Sequence, residues 1–174
     1  MNWTELLTSE IETNFRITDA LMDLVDADGL DWKPSQDNNW MTMGQLLMHL
    51  TTACGLGIRG FATGDWGLPD GVDMAEMSPE EMMPSAEKLP TIGSVAEAKE
   101  ALAKDKQVAL ETLAGCSEER LNSEPSSAPW DPTEMLLGHR LLQMAWHLSQ
   151  HKDQLFYYLK LQGKLVNTSH LWGM

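Results

Sequence analysis

The sequence predicts an all-α fold, a four-helix bundle with one long crossover between its second and third helices. Three observations lead there. Apolar residues recur every three or four positions through four long segments. Capping and stop residues bracket those segments. No run of alternating β-branched residues suggests a strand. With 174 residues, 43% of them hydrophobic and 22% charged, the chain suits one domain, 1–174, with a substantial core.

The first helix is expected over about residues 3–27. Leu7, Ile11, Thr18, Leu21 and Val25 make one inward stripe, Asn14 falls on the same stripe, and Asp28-Gly29 ends it. The second, about 42–61, opens on Thr42-x-x-Gln45, the spacing of a capping box, and turns Met43, Leu46, Leu47, Leu50, Cys54 and Ile58 inward. Composition then shifts. Residues 62–93 hold Gly64, Gly67, Pro69, Gly71, Pro79, Pro84, Pro90 and Gly93, and Ser78-Pro79-Glu80-Glu81 can cap one short helix among them. The carboxylates of Asp70, Asp73, Glu80 and Glu81 read as solvated charge. A structureless loop of that length is unusual in a compact domain, so the segment is read as a crossover between parallel helices. Ser94-x-x-Glu97 starts the third helix, 95–114, which stops at Gly115. The fourth, about 132–161, is expected to begin with Asp131 as N-cap, Pro132 at the first position and Glu134 at the third, and to end before Gly163.

Charge excludes whole classes of partner. Twelve Lys and Arg stand against 26 Asp and Glu, a formal net of −14. Nucleic acid and anionic membrane surfaces both demand a cationic footprint. No apolar run approaches the ~20 residues of a membrane span. Met1-Asn2-Trp3-Thr4-Glu5 lacks the basic start and apolar run of a secretory signal. Cys54 and Cys116 are far apart and form no CxxC, which fits reduced thiols. A cytoplasmic protein is expected.

The chemistry-bearing residues are histidines. His147 and His151 are four apart on the fourth helix, so two imidazoles share one face. His151 takes a position on the seam of Leu137, Leu141, Met144, Leu148, Leu155 and Tyr158, and His147 lies beside it. His49 falls near the inner arc of the second helix. Three imidazoles from two facing helices make a site for Zn, Ni, Fe or Cu with positions left open for water. The alternative is a set of core histidines satisfied by hydrogen bonds alone. His139 and His170 read as surface or hydrogen-bonded histidines.

Other arrangements drop out. A zincin would place Glu after the first histidine, where Leu148 stands, and no histidine here follows Glu-x-x as in di-iron bundles. Gly55-x-Gly57-x-x-Gly60 continues a helix instead of joining a strand to one, so its glycines are read as packing sites. Asp105 turns partly inward, for a salt link or in support of a histidine. Cys54 reads as a small core residue, with metal ligation or thiol reactivity as the alternative.

Two of these stretches resemble a known family. Trp40-Met41-Thr42-Met43-Gly44-Gln45-Leu46-Leu47-Met48-His49-Leu50 is similar to the second-helix motif of the DinB/YfiT-like superfamily. His147-Leu148-Ser149-Gln150-His151-Lys152-Asp153-Gln154-Leu155 resembles its last-helix signature, with Lys152-Asp153 in place of Arg-Gly, and Asp131-Pro132-Thr133-Glu134 resembles the approach to that helix. The resemblance implies a bundle with a three-histidine divalent metal site, often Zn or Ni, whose ligands map to His49, His147 and His151. It also implies a homodimer. Some members transfer low-molecular-weight thiols or isomerise thiol adducts, and many are known only as metal-dependent hydrolases.

The leading expectation is therefore a metal-dependent thiol transferase or hydrolase acting on small molecules. Zn or Ni, or alternatively Fe, would be the cofactor, and Asn14 or Thr18 would orient substrate. The other reading is a non-catalytic metal-binding or stress-response protein with the same site. The acid excess lies away from that site. Residues 132–174 hold four basic and two acidic residues, leaving 8 basic and 24 acidic to the first 131. An imidazole site in such a chain favours Zn, Ni or Fe over Ca or Mg.

Overall fold

Asn2 starts the first helix, α1 (Trp3–Met22). Its side chain accepts the Glu5 N–H at 2.9 Å, and the Glu5 carboxylate accepts the Asn2 N–H at 3.3 Å. Leu7, Ile11, Phe15, Ile17, Leu21 and Met22 are buried along it. The helix stops at Met22, earlier than expected, because Leu24 and Val25 close tight turns onto Leu21 and Met22. The structure is a computed structural model and describes residues 2–69, 71–72 and 74–174. Asp70 and Asp73, expected as solvated charge, lie outside the described residues.

The expected second helix is two helices. The first, α2 (Met43–Leu50), has the expected capping box, with Gln45 N–H donating to Thr42 Oγ1 at 3.2 Å and Thr42 N–H to Gln45 Oε1 at 2.8 Å. Residues 51–54 then turn, and α3 (Gly55–Thr63) follows, ending at Gly64 in the left-handed region. The break has two causes. The amides of Thr51 and Thr52 bond back three residues to Met48 and His49, which tightens the turn. The carboxylate of Asp105 then accepts the N–H groups of Cys54, Gly55 and Leu56, so a new helix starts there.

The crossover carries α4 (Pro79–Met82), the short helix expected after Ser78, flanked by 3₁₀ turns at Met74–Glu76 and Ala86–Lys88. Its end returns across the start of α2: Gln45 Nε2 donates to the Leu89 carbonyl at 2.9 Å, and the Ile92 N–H to the Gly44 carbonyl at 3.2 Å. Helix α5 (Val95–Ala114) has the expected bounds and the Ser94 cap. A short α6 (Glu118–Ser123) follows.

The approach to the last helix departs from expectation. Residues 125–136 form a hairpin, β1 (Pro125–Ala128) and β2 (Asp131–Leu136), paired antiparallel with a bulge between Ser126 and Ala128. Helix α7 (Leu137–Leu161) therefore starts five residues later than Asp131-Pro132 suggested. Asp131 does cap, but locally: its Oδ1 accepts the Thr133 N–H at 3.0 Å. Buried Arg140, one turn into α7, reaches back to Asp131 Oδ2, the Ser126 carbonyl and the Thr133 carbonyl, and fastens the hairpin to the bundle. Helix α8 (Thr168–Trp172) closes the chain.

Helix α1 packs on α5 and α7, α3 on the same two, and α2 on α7. That is the expected bundle, with the second position shared by α2 and α3. Among the described residues, no helix is long and apolar enough to cross a membrane.

Candidate metal centre

The site forms where α2 faces α7. The helical repeat puts His147 and His151 on one side of α7, and His49 comes from the last turn of α2. The three rings meet edge to face, with centroids 4.3 to 5.1 Å apart. Nε2 of His147 stands 3.3 Å from that of His49 and 3.0 Å from that of His151, and one nitrogen from each ring falls within 4.8 Å of the others.

The hydrogen-bond network assigns the tautomers. A carbonyl can only accept, so His147 Nδ1 must carry a proton to bond the Ala53 carbonyl at 2.9 Å. A longer relay fixes His151. The Met41 carbonyl accepts from the Tyr158 hydroxyl at 3.1 Å, so the phenolic oxygen accepts from Gln154 Nε2 at 3.2 Å. This leaves Gln154 Oε1 facing His151 Nδ1 at 2.9 Å, and that nitrogen must donate. Neutral His147 and His151 then each present a bare Nε2 lone pair. Two lone pairs 3.0 Å apart repel unless a cation lies between them.

A divalent ion fits the arrangement. Zinc bonds of about 2.0–2.1 Å in a tetrahedral set place ligand nitrogens about 3.3 Å apart, close to the spacings here. Outer partners that fix ring orientation are the rule for ligating histidines. The rings are also held neutral. Burial lowers the pKa of His49 to about 4, helped by the neighbouring His151 and His147. Burial lowers His147 and His151 too, against the pull of their Ala53 and Gln154 partners.

Of the residues given a ligand or substrate role from sequence, the structure brings together His49, His147 and His151. Asn14 and Thr18 sit on α1. Thr18 is buried and donates its hydroxyl to the Asn14 carbonyl at 2.7 Å. Asn14 lines a cavity of about 280 Å³ whose walls include Glu10, His139 and Trp146 and none of the three histidines. His139 is exposed, and exposed His170 completes the cap of α8. Cys54 is a buried thiol with its pKa raised by burial, as befits a core residue. The glycines of the Gly55-x-Gly57-x-x-Gly60 pattern are packing sites. A Cβ would come within 2.1 Å of the Asp105 carbonyl at Gly55, 2.4 Å of Met144 Sδ at Gly57 and 2.2 Å of the Trp66 ring at Gly60.

Asp105 makes neither the salt link nor the histidine contact expected of it, and instead caps α3 from another helix. Gln154, Tyr158 and Ala53 were not recognised as partners of the histidines. Gln154 had a signal, three residues after His151 on the same face. The Ala53 carbonyl had none, since it is freed only by the break between α2 and α3.

No curated protein matches the chain. The fold is shared with a solved DinB-like protein from Bacillus subtilis, at a TM-score of 0.61 and 17% identity over 92% of this chain and 94% of that one. The family model of the DinB superfamily matches residues 10–155, which include all three histidines and most of the bundle that positions them. The chain belongs to the DinB superfamily.

Proposed function

We propose that the protein is a metal-dependent enzyme of the thiol S-transferase or hydrolase type, acting on small molecules, with zinc or nickel held by His49, His147 and His151. Iron is compatible with the same donors. One observation carries this reading: the Nε2 atoms of His147 and His151, each left bare by an Nδ1 partner that can only accept, converge with the His49 ring. Held by neutral His49, His147 and His151, a divalent ion would keep its +2 charge and would supply the site with a lowered pKa for a bound water or thiol.

The chain's own residues supply the rest. Ala53 holds His147, and the Gln154–Tyr158–Met41 relay holds His151, in the ligating tautomer. Leu148, fully buried between the two histidines in sequence, anchors that face of α7. Asn14, buried beside a cavity that none of the three histidines lines, is offered for holding a part of the substrate remote from the metal, whereas Thr18 commits its hydroxyl to backbone. A homodimer is part of the same reading, and sedimentation analysis checks it.

The test is a turnover screen of the zinc- and nickel-loaded protein, pairing low-molecular-weight thiols with activated electrophiles and including ester and amide substrates. Metal-dependent turnover that His147→Ala abolishes supports the proposal. Stoichiometric metal with no turnover across the screen overturns its enzymatic part and leaves a metal-binding bundle.

A further inference from the structure

We propose that Asp105 is a positioning residue for the histidine cluster, acting through the break between α2 and α3; the inference rests on the metal-centre reading above. Asp105 is buried on α5, remote from the imidazoles in sequence and on a helix that contributes no histidine to the cluster. Its Oδ2 accepts the N–H of Gly55 at 2.8 Å and that of Cys54 at 3.3 Å, and its Oδ1 accepts the N–H of Leu56 at 2.9 Å. These are the orphan donors at the start of α3, where a carboxylate is favoured by both hydrogen bonding and the helix dipole.

The position of this clamp gives it a second consequence. Ala53 is the residue just before the clamped amides, and its carbonyl is the acceptor that fixes His147. Were α2 and α3 one helix, that carbonyl would point along the helix toward the amide four residues on. By starting α3 at Gly55, Asp105 turns the Ala53 carbonyl toward His147 Nδ1. Gly55 permits the approach, because any Cβ there would lie 2.7 Å from the Asp105 carboxylate and 2.1 Å from its backbone oxygen. The carboxylate thus acts on the metal-binding nitrogen through two intermediaries, the α3 amides and the Ala53 carbonyl.

Two measurements test this on the full-length chain. The first compares zinc affinity, and the His147 tautomer read from histidine ¹⁵N chemical shifts of metal-free protein, in wild type, Asp105→Asn and Ser94→Ala. Asparagine offers one accepting oxygen, and its NH₂ opposes a backbone N–H. The expected result is zinc binding weakened about tenfold to a hundredfold in Asp105→Asn, with His147 losing its pure Nδ1–H form. Ser94→Ala, which removes the α5 cap, changes neither. Affinity within twofold of wild type and an unchanged tautomer overturn the proposal.

The second needs no variant and covers an Asp105→Asn that does not fold. Coupling is reciprocal, so zinc must slow amide exchange at Gly55 and Leu56 about tenfold or more while leaving Glu97, at the Ser94 cap, unaffected. Equal slowing at all three overturns the proposal. Zinc binding by neither wild type nor variant defeats the metal reading instead, and the tautomer comparison still decides the role of Asp105.

Discussion

Replacing Gln154 with Leu removes the acceptor of His151 Nδ1 while keeping a side chain of similar length on α7. The structure sets the size of the effect. The 2.9 Å bond from His151 strengthens when the ring takes on positive character beside a metal, so its loss falls mainly on the bound state. Losing such an outer partner costs about tenfold to a hundredfold in metal affinity, or about 1.4–2.7 kcal/mol. Tyr158→Phe acts further along the same relay. It frees Gln154 to rotate, and its effect should be smaller than that of Gln154→Leu. The double variant should bind zinc no more weakly than Gln154→Leu alone, because once Gln154 is gone Tyr158 has nothing to transmit. Competition titration of metal-free protein against a chromophoric chelator measures all four affinities. Gln154→Leu within twofold of wild type, or two losses that add in full, would refute the tautomer relay.

Other consequences follow from the same geometry. Metal-free protein should lose stability in acid over a defined window. Imidazoles in the unfolded chain titrate near 6.5 and His49 in the fold near 4, so the contribution of His49 to stability is complete above about 6.5 and is lost as the pH drops toward 4. His49 alone accounts for about 3 kcal/mol at most, so urea midpoints in the presence of chelator should decline over that range, and less steeply in His49→Leu. Leu148→Ala empties a fully buried position and should cost about 2–5 kcal/mol in urea unfolding. Lys152, which stands where the family signature carries Arg, is buried and reaches the Leu171 carbonyl at 3.4 Å and Asp153 at 2.9 Å. Lys152→Met should therefore speed amide exchange in α8 and leave zinc affinity within twofold.

Much of the site was legible because the helical repeat carries it. Two histidines four apart must share a face, and an inward stripe on a second helix brings His49 toward them. The bundle was legible for the same reason. What stayed hidden depends on contacts across the fold. The apolar pattern runs from Leu50 through Cys54 to Ile58 without interruption, so nothing local announces the break that Asp105 imposes from α5. Asp131-Pro132-Thr133-Glu134 carries the residues of a helix start, yet it lies in β2 and the helix begins at Leu137, although Asp131 does accept a backbone N–H. That chemistry serves a tight local turn equally well, and the hairpin wins because Arg140 holds its strands to α7. The outer partners of the histidines were least visible, since a backbone carbonyl has no signature in a sequence.

Whether His49, His147 and His151 hold a metal ion is decided by elemental analysis of the purified protein, with His151→Ala as control. Wild type should carry close to one equivalent of zinc, nickel or iron, and the variant should lose most of it. Less than about a tenth of an equivalent after incubation with each metal, unchanged by the substitution, would contradict the metal reading.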